Sequence, residues 1–489
     1  MQIVRNITVE PLLPLYIIAN VLTAFAAQNL YLDKACRVNL KFSDEVCEAL
    51  ERRNTKNFTA EEIEVQKLVA NMNGWKMILQ TFIPCVLILF IGSWSDRNGR
   101  RKPCMMIPIF GELVSSAGLI LNAYYKDWSM EVAGLTEALF EGITGGWATM
   151  LMGAFSYIAD VTSEERRTFR IGIANTFFSI GMPIASAAGG FLIKQIGFLW
   201  VFIISVIIHL IAFLYALFVL KEPAIKTEVS KSKKQNCIID FFDPTNTIET
   251  FKIGFKRGRR IKIAVLLILV IIVVGPMHGE QSVVYLFTRL KFNWNEVNFG
   301  IYQTFSTVVT MSGTFLALVI LSRILKIHDA LIGIIASLSK IAASFVYAFA
   351  MTPFMFYFGP VTEFIHYVSF IAMRSIASKI VEQNERGRLN SLVGLIEALA
   401  PSIYAPMYSQ IYTATITTFP GAFYLVGGGL KIFAVLIFSW MYLNYRQLKK
   451  VNQSNESLPN IDQRKNENEI DSSTTSISST IGDALSVHV

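Results

Sequence analysis

Four side chains in one otherwise apolar run invite a chemical reading: Glu363, His366, Phe370 and Arg374, spaced three, four and four residues apart. On a helix of about 3.6 residues per turn, that spacing sets all four on one stripe. An acid, an imidazole and a guanidinium on one face can relay a proton and grip an anion. Arg374 also lies near the end of its run, where the same side chain can snorkel or pair with an acid nearby. A second group is His278 and Glu280 in "GPMHGE". There Gly275, Pro276 and Gly279 weaken a helix and free backbone groups for a ligand, although a simple kink with a satisfied histidine reads the stretch equally well. A third is Glu137 and Glu141, one turn apart, ahead of a "TGG" at 144–146 that admits a close helix neighbour. Two carboxylates so placed in an apolar medium tend to hold a proton.

Ionisable groups of this kind are costly inside a bilayer, and the surrounding sequence puts them there. A 53% hydrophobic content, 16% charged residues and a mean hydropathy of +0.46 over 489 residues exclude a set of soluble domains. Runs of about 20 apolar residues, enough to cross a hydrocarbon core of ~30 Å as helix, recur twelve times. They cover 11–31, 73–95, 103–125, 131–160, 171–193, 198–220, 262–285, 299–321, 330–350, 353–377, 389–412 and 420–444. The long fourth run must tilt or extend past the bilayer. The first is kept as a span rather than a cleaved leader, because Glu10 offsets Arg5 and removal would leave an odd number.

Cations assign the sides. Arg97, Arg100, Arg101 and Lys102 follow span 2, Arg166, Arg167 and Arg170 follow span 4, and Lys379, Arg386 and Arg388 follow span 10. The positive-inside rule makes these loops cytoplasmic, and with them both termini. The loop between spans 6 and 7 agrees, with "KSKK" at 231–234 and "KRGRR" at 256–260. The net charge of +8 therefore belongs to a lipid-facing surface and implies no nucleic-acid partner.

One outer loop is long, residues 32–72. It carries the glycosylation sequon "NFT" at Asn57 and two cysteines, Cys36 and Cys47, on the side where pairing is permitted. Sequons at Asn6, Asn452 and Asn455 fall on the cytoplasmic side and should stay bare, while Cys85, Cys104 and Cys237 read as free thiols. The expected organisation is a cytoplasmic N-terminus 1–10, a six-span bundle 11–220, a basic linker 221–261, a second six-span bundle 262–444 and a disordered cytoplasmic tail 445–489 rich in Ser, Thr and Asn. Neither a potassium-channel filter sequence nor a metalloprotease or serine-hydrolase motif occurs, so channels and membrane enzymes are disfavoured. No metal or other cofactor is expected.

Between spans 2 and 3 stands "GSWSDRNGRR". It resembles the signature loop of the major facilitator superfamily, matched at Gly92, Asp96, Arg97, Gly99, Arg100 and Arg101. The glycines permit a tight turn and close helix approach, and the carboxylate and guanidinium groups can lock neighbouring helix ends in one conformational state. "SYIADVTSEERRTFRIG", "GPMHGEQSVVYLFTRLKFNW" and "MRSIASKIVEQNERGRL" resemble the proton-coupled folate transporter and thymic stromal cotransporter family, the forty-sixth solute-carrier family. The resemblance spans residues 11–444.

That resemblance implies an all-α membrane protein with the major facilitator fold, twelve helices in two pseudo-symmetric bundles. It implies alternating-access transport of an organic anion (folate-like, cyclic-dinucleotide-like or muropeptide-like) with protons as driving force. Arg374 falls where the folate transporter has an arginine tied to substrate and proton handling, and His278 within one position of its span 7 histidine. Asn175 stands where that transporter has a glutamate important for coupling, and an amide carries no proton. The family's disulfide between the first outer loop and the loop after span 7 has no counterpart, since residues 286–300 hold no cysteine. A monomer at the plasma membrane rather than the lysosome is expected, given no acidic dileucine signal. The competing class is a non-transporting receptor on the same fold.

Overall fold

The computed structural model describes residues 8–222, 260–381 and 386–457. Arg5, Asn6, Cys237, the cations of 231–234 and 256–259, and the chain beyond Ser457 lie outside the described residues, as do the side chains of Arg386, Arg388, Asn452 and Asn455. Among the described residues every regular element is helical. Helix α1 (Leu12–Lys34) runs into a π turn, Ala35–Asn39, and a short α2 (Asp44–Glu51) follows. Then come α3 (Thr59–Asn98), α4 (Lys102–Tyr124), α5 (Met130–Thr144), α6 (Gly146–Asp160) and α7 (Glu164–Phe218). The later helices are α8 (Arg260–Phe292), α9 (Glu296–Ala317), α10 (Asp329–Phe349), α11 (Pro353–Thr362), α12 (Val368–Ile380), α13 (Arg386–Thr415) and α14 (Ala422–Ser457).

Eight helical segments among the described residues are long and apolar enough to cross a membrane. Expected span 11 lies whole in α13, outside those eight, and spans 4, 5, 6 and 10 depart from separate continuous helices for local reasons. Span 4 divides into α5 and α6 at Gly145 and Gly146, whose φ angles of 91° and 54° suit residues without a Cβ. The "TGG" is thus a break in the helix, not a smooth surface for a neighbour. Spans 5 and 6 run together in α7, bent at Gly197 with φ 76° and ψ 164°. Span 10 divides into α11 and α12 around a turn at 363–367. At the other end, α14 continues to Ser457, past the expected close of the last span at 444; a second compact unit of the chain begins within it, at Ser439.

Polarity is distributed as a bilayer demands. Large apolar side chains such as Phe191, Trp200, Ile207, Phe315 and Phe345 are exposed, whereas Lys76, Glu112, Glu137, Glu280, Lys340, Glu363 and Lys431 are buried. Helices of the first expected half pack on those of the second along two seams, α3 on α13 and α7 on α9. The α7–α9 seam depends on missing side chains: a Cβ on Gly190 would stand 2.3 Å from the Glu296 carbonyl oxygen, and one on Gly300 2.6 Å from that of Ser186. At the start of α1, burial alone would push the Glu10 carboxyl up. Hydrogen bonds from Arg170 and the nearby backbone outweigh it and hold the group below its ordinary value.

Gly190→Val should therefore wedge the α7–α9 seam and destabilise the fold by about 1–3 kcal/mol, the usual range for overpacking. Thermal unfolding of the purified protein should show a lowered midpoint, and Gly394→Ala, whose Cβ would meet nothing within 4 Å, should show none.

Candidate functional site

The deepest charge cluster is built by four elements of the second half. Lys340 on α10 stands between two carboxylates, with Nζ 2.7 Å from Glu280 Oε2 on α8 and 2.7 Å from Glu363 Oε2 beyond α11. Tyr347 donates its hydroxyl to Glu363 Oε1 at 2.8 Å, and His366 Nδ1 lies 4.0 Å from Glu363 Oε2. Lys431 on α14 donates to the Val273 carbonyl at 3.0 Å. Lys340, His366 and Lys431 line one small cavity with Met277, Tyr367 and Phe370. Lys340 is 5% exposed and Lys431 3%, so neither charge is relieved by bulk water. The Lys340 ammonium is stable in such a place because two carboxylates stand beside it, whereas Lys431 has a backbone carbonyl as its partner.

A second cluster lies in the first half. Lys76 Nζ is 2.8 Å from Glu137 Oε2, which Tyr31 also contacts through its hydroxyl. Gln80 donates to Glu141 Oε2 at 2.6 Å and to Glu137 Oε1 at 3.4 Å. Glu112 accepts from Tyr16 and Asn20, and Asn20 in turn meets His209 Nε2 at 2.8 Å. Glu137 and Glu141 are thus neighbours as expected, but an ammonium 61 residues earlier holds one of them.

At the predicted outer end a third network crosses between halves. Glu62 Oε1 accepts from Arg53 at 2.9 Å, from Arg289 at 3.0 Å and from Gln66 at 2.7 Å. Arg53 also donates to the Arg289 carbonyl, Arg289 to that of Leu50, and Asn293 to that of Arg53. Tyr412 reaches Gln66 at 2.8 Å and Tyr285 reaches Asn29 at 3.0 Å. The loop that supplies Arg53 is stapled by a Cys36–Cys47 disulfide and exposes Asn57. Cys85 and Cys104 are buried free thiols.

The signature loop works within the first half. Gly99 ends α3 in the left-handed region, at φ 62°. Arg101 pairs with Asp96 and, at 2.7 Å, with Asp160 at the end of α6. Glu222, just past α7, accepts from the backbone N–H groups of Arg101 and Lys102. Gly92 faces Met152, whose sulfur would lie 3.2 Å from an added Cβ. Arg97 is half-buried, and Arg100 is exposed with its carbonyl accepting from Ser95.

The expected stripe of Glu363, His366, Phe370 and Arg374 holds only between neighbours: His366 stands 4.0 Å from Glu363 and lines the cavity with Phe370, and Arg374 meets only Phe370 of the other three. Pro360 lacks an N–H, and soon after it the chain switches to bonds three residues back, His366 to Glu363, Val368 to Ile365 and Ser369 to His366. Arg374, eleven residues beyond Glu363 and so ~16 Å further along a helix, does not reach the cluster. It pairs with Glu397 on α13 and lies over the Phe370 ring, 5.0 Å from its centroid.

The "GPMHGE" stretch is also reassigned, since α8 runs unbroken through Pro276. Its glycines make room for aromatic rings: a Cβ on Gly275 would be 2.2 Å from Tyr404, and one on Gly279 2.4 Å from Tyr408. Only Glu280 of the pair joins the cluster. His278, two residues earlier and so on another face of α8, is half-buried apart from it. Asn175 is exposed on α7, away from both clusters. Lys340, Lys431, Lys76, Glu112 and His209 escaped the sequence reading, yet each is a single ionisable residue in an apolar run, which is signal enough.

Residues 57–405 match the family description of the Major Facilitator Superfamily. The chain belongs to that superfamily. Among relatives, it is 25% identical over 449 residues to the lysosomal proton-coupled steroid conjugate and bile acid symporter SLC46A3 of Gallus gallus, covering 89% of this chain and 94% of that one. It is 24% identical over 424 residues to a probable peptidoglycan muropeptide transporter of Drosophila melanogaster, at 85% and 81% coverage. Among solved structures it is similar to the human organic anion transporter MFSD10, with a TM-score of 0.60 at 14% identity over 88% of this chain and 99% of that one. These relatives by sequence are members of solute carrier family 46, and the major facilitator fold and family make this chain a multi-pass membrane transporter. The expected preference for the plasma membrane finds no support, because the Gallus gallus relative is lysosomal.

With Thr55 Oγ1 and Asn293 Oδ1 3.3 Å apart, the double variant Thr55→Cys, Asn293→Cys should cross-link on mild oxidation and tie the outer ends of the two halves together. Non-reducing electrophoresis after cleavage at a protease site engineered into residues 223–259 checks this: the fragments stay joined until a reductant is added, whereas either single variant separates at once.

Proposed function

We infer that this transporter moves an organic anion together with protons, as a monomer, by rocking two six-span halves about a site near the middle of the membrane. The observation that carries the reading is the cavity edged by Lys340, Lys431 and His366 inside an apolar bundle. Lys340 and Lys431 balance Glu280 and Glu363 when both carboxylates are ionised. Protonation of one acid leaves a net positive charge of one, which a carboxylate or sulfate would neutralise. Loading an anion without a proton would instead bury an uncompensated negative charge, so the two are bound together. The proton gradient supplies the driving force, and no other cofactor enters.

Val273, Val274, Met277 and Phe370 give the cavity an apolar wall beside its cations. That combination suits a bulky apolar anion of the steroid-conjugate or bile-acid kind better than a polar folate or muropeptide. The Arg53–Glu62–Arg289 network joins the halves at the predicted outer end, which fits a state closed on that side, and an acidic compartment such as the lysosome would supply the protons. Both termini then face the cytoplasm, and Arg374 with Glu397 sits at the inner mouth of the pathway.

Counterflow in liposomes containing the full-length protein tests this, with a labelled steroid sulfate, a bile acid, a muropeptide and a reduced folate compared in acidic and neutral buffer. Acid-stimulated counterflow of the steroid sulfate or bile acid is expected, and Lys431→Ala should weaken it about tenfold or more, as loss of a charge-assisted hydrogen bond does. Binding without counterflow would instead make the protein a receptor.

A further inference from the structure

Lys340 is shared by two carboxylates, and they are held differently. Both oxygens of Glu363 are satisfied, Oε1 by the Tyr347 hydroxyl at 2.8 Å and Oε2 by Lys340 at 2.7 Å. Glu280 uses only Oε2, on Lys340. Its Oε1 is buried with no hydrogen-bond partner, and so are the hydroxyls of Tyr408 and Tyr424. Oε1 and the Tyr408 hydroxyl meet at one place on α14: a Cβ added to Gly427 would lie 2.5 Å from the first and 2.9 Å from the second. The missing side chain at Gly427 thus leaves a small polar gap between a lone carboxylate oxygen and a tyrosine hydroxyl, in a region where each unmade hydrogen bond is expensive.

We propose, resting on the transport reading above, that Glu280 and not Glu363 is the group that takes up and releases the coupled proton, bound on Oε1 and directed at the Tyr408 hydroxyl. Hydrogen bonds to the ionised form favour that form, and Glu363 has the full set. A proton on Glu280 Oε1 turns an acceptor without a donor into a donor facing the Tyr408 oxygen, and it leaves the Oε2 contact with Lys340 in place. The charged and titratable groups that interact with Glu280 are Lys340 on α10, Glu363 beyond α11 with His366 beside it, Lys431 and Tyr424 on α14, Tyr408 on α13 and Tyr302 on α9. When Glu280 is neutralised, Lys340 remains paired with the fixed Glu363 anion, and Lys431 is left as the charge that an anion in the cavity would meet. Proton uptake at one carboxylate is thereby transmitted to the anion site without moving a helix.

Infrared difference spectra of the full-length protein in lipid, recorded between neutral and acidic buffer with no ligand present, test this directly. The carbonyl stretch of protonated carboxyl groups should grow on acidification. One component should vanish in Glu280→Gln and persist in Glu363→Gln, while any components from carboxyl groups of the first half stay in place. Tyr408→Phe, which preserves the ring, should move the midpoint of the Glu280 component to lower pH, because the protonated form loses its acceptor. A component that survives Glu280→Gln unchanged, or one lost in Glu363→Gln alone, overturns the assignment; so does a midpoint indifferent to Tyr408→Phe. Because no ligand is used, the result is independent of the counterflow panel: a Glu280 band with no transported ligand would defeat the substrate reading and leave the proton site standing.

Discussion

An ammonium group held between two carboxylates inside an apolar bundle is the constraint around which this protein is arranged. Lys340, Glu280 and Glu363 come from three separate elements, and none of the three would be tolerated there alone. Bringing them together fixes the register of α8 against α10 and the position of the turn after α11. Tyr347 acts as a support, since its hydroxyl completes the Glu363 shell, and α11 places that carboxylate at its own end, with the Glu363 N–H still bonded to the Gly359 carbonyl. On the proposed reading, the same triad would make the cavity beside it sensitive to protons, because the charge left over for a ligand depends on whether a carboxylate is ionised.

The two halves meet through contacts of different kinds. Along α7 and α9 the approach is close because Gly190 and Gly300 face carbonyl oxygens, which suits surfaces that can slide and separate. At the predicted outer end the contact is a buried network in which Glu62 serves two guanidinium groups, and the stapled loop after α1 carries one of them. The signature loop, by contrast, ties α3, α4, α6 and the end of α7 to one another and keeps the first half together as a unit. A rigid half beside a breakable seam is what rocking requires.

Much of this was legible in the sequence. The apolar runs gave the spans and the class, the Gly92–Arg101 loop gave the superfamily, and Glu280, Glu363 and His366 were picked out as ionisable groups in a bilayer. Helical periodicity gives a shared face but not a shared site. It put Arg374 on one face with Glu363 and His366, but eleven residues of helix carry it ~16 Å beyond Glu363, where it pairs with Glu397. The "GPMHGE" glycines looked like helix breakers because their ring partners, Tyr404 and Tyr408, lie more than a hundred residues away. Lys340 was visible as a lone cation in an apolar run but carried no local partner to draw notice; its carboxylates are 60 and 23 residues distant in the chain.

The coupling of anion to proton is the central claim, and it can be measured without imposing any proton gradient. Liposomes containing the full-length protein and an internal pH-reporting dye would be given labelled steroid sulfate from outside at equal pH. Symport predicts that the interior acidifies in step with anion entry, and that Lys340→Met abolishes both. Anion entry with an unchanged internal pH would contradict the account.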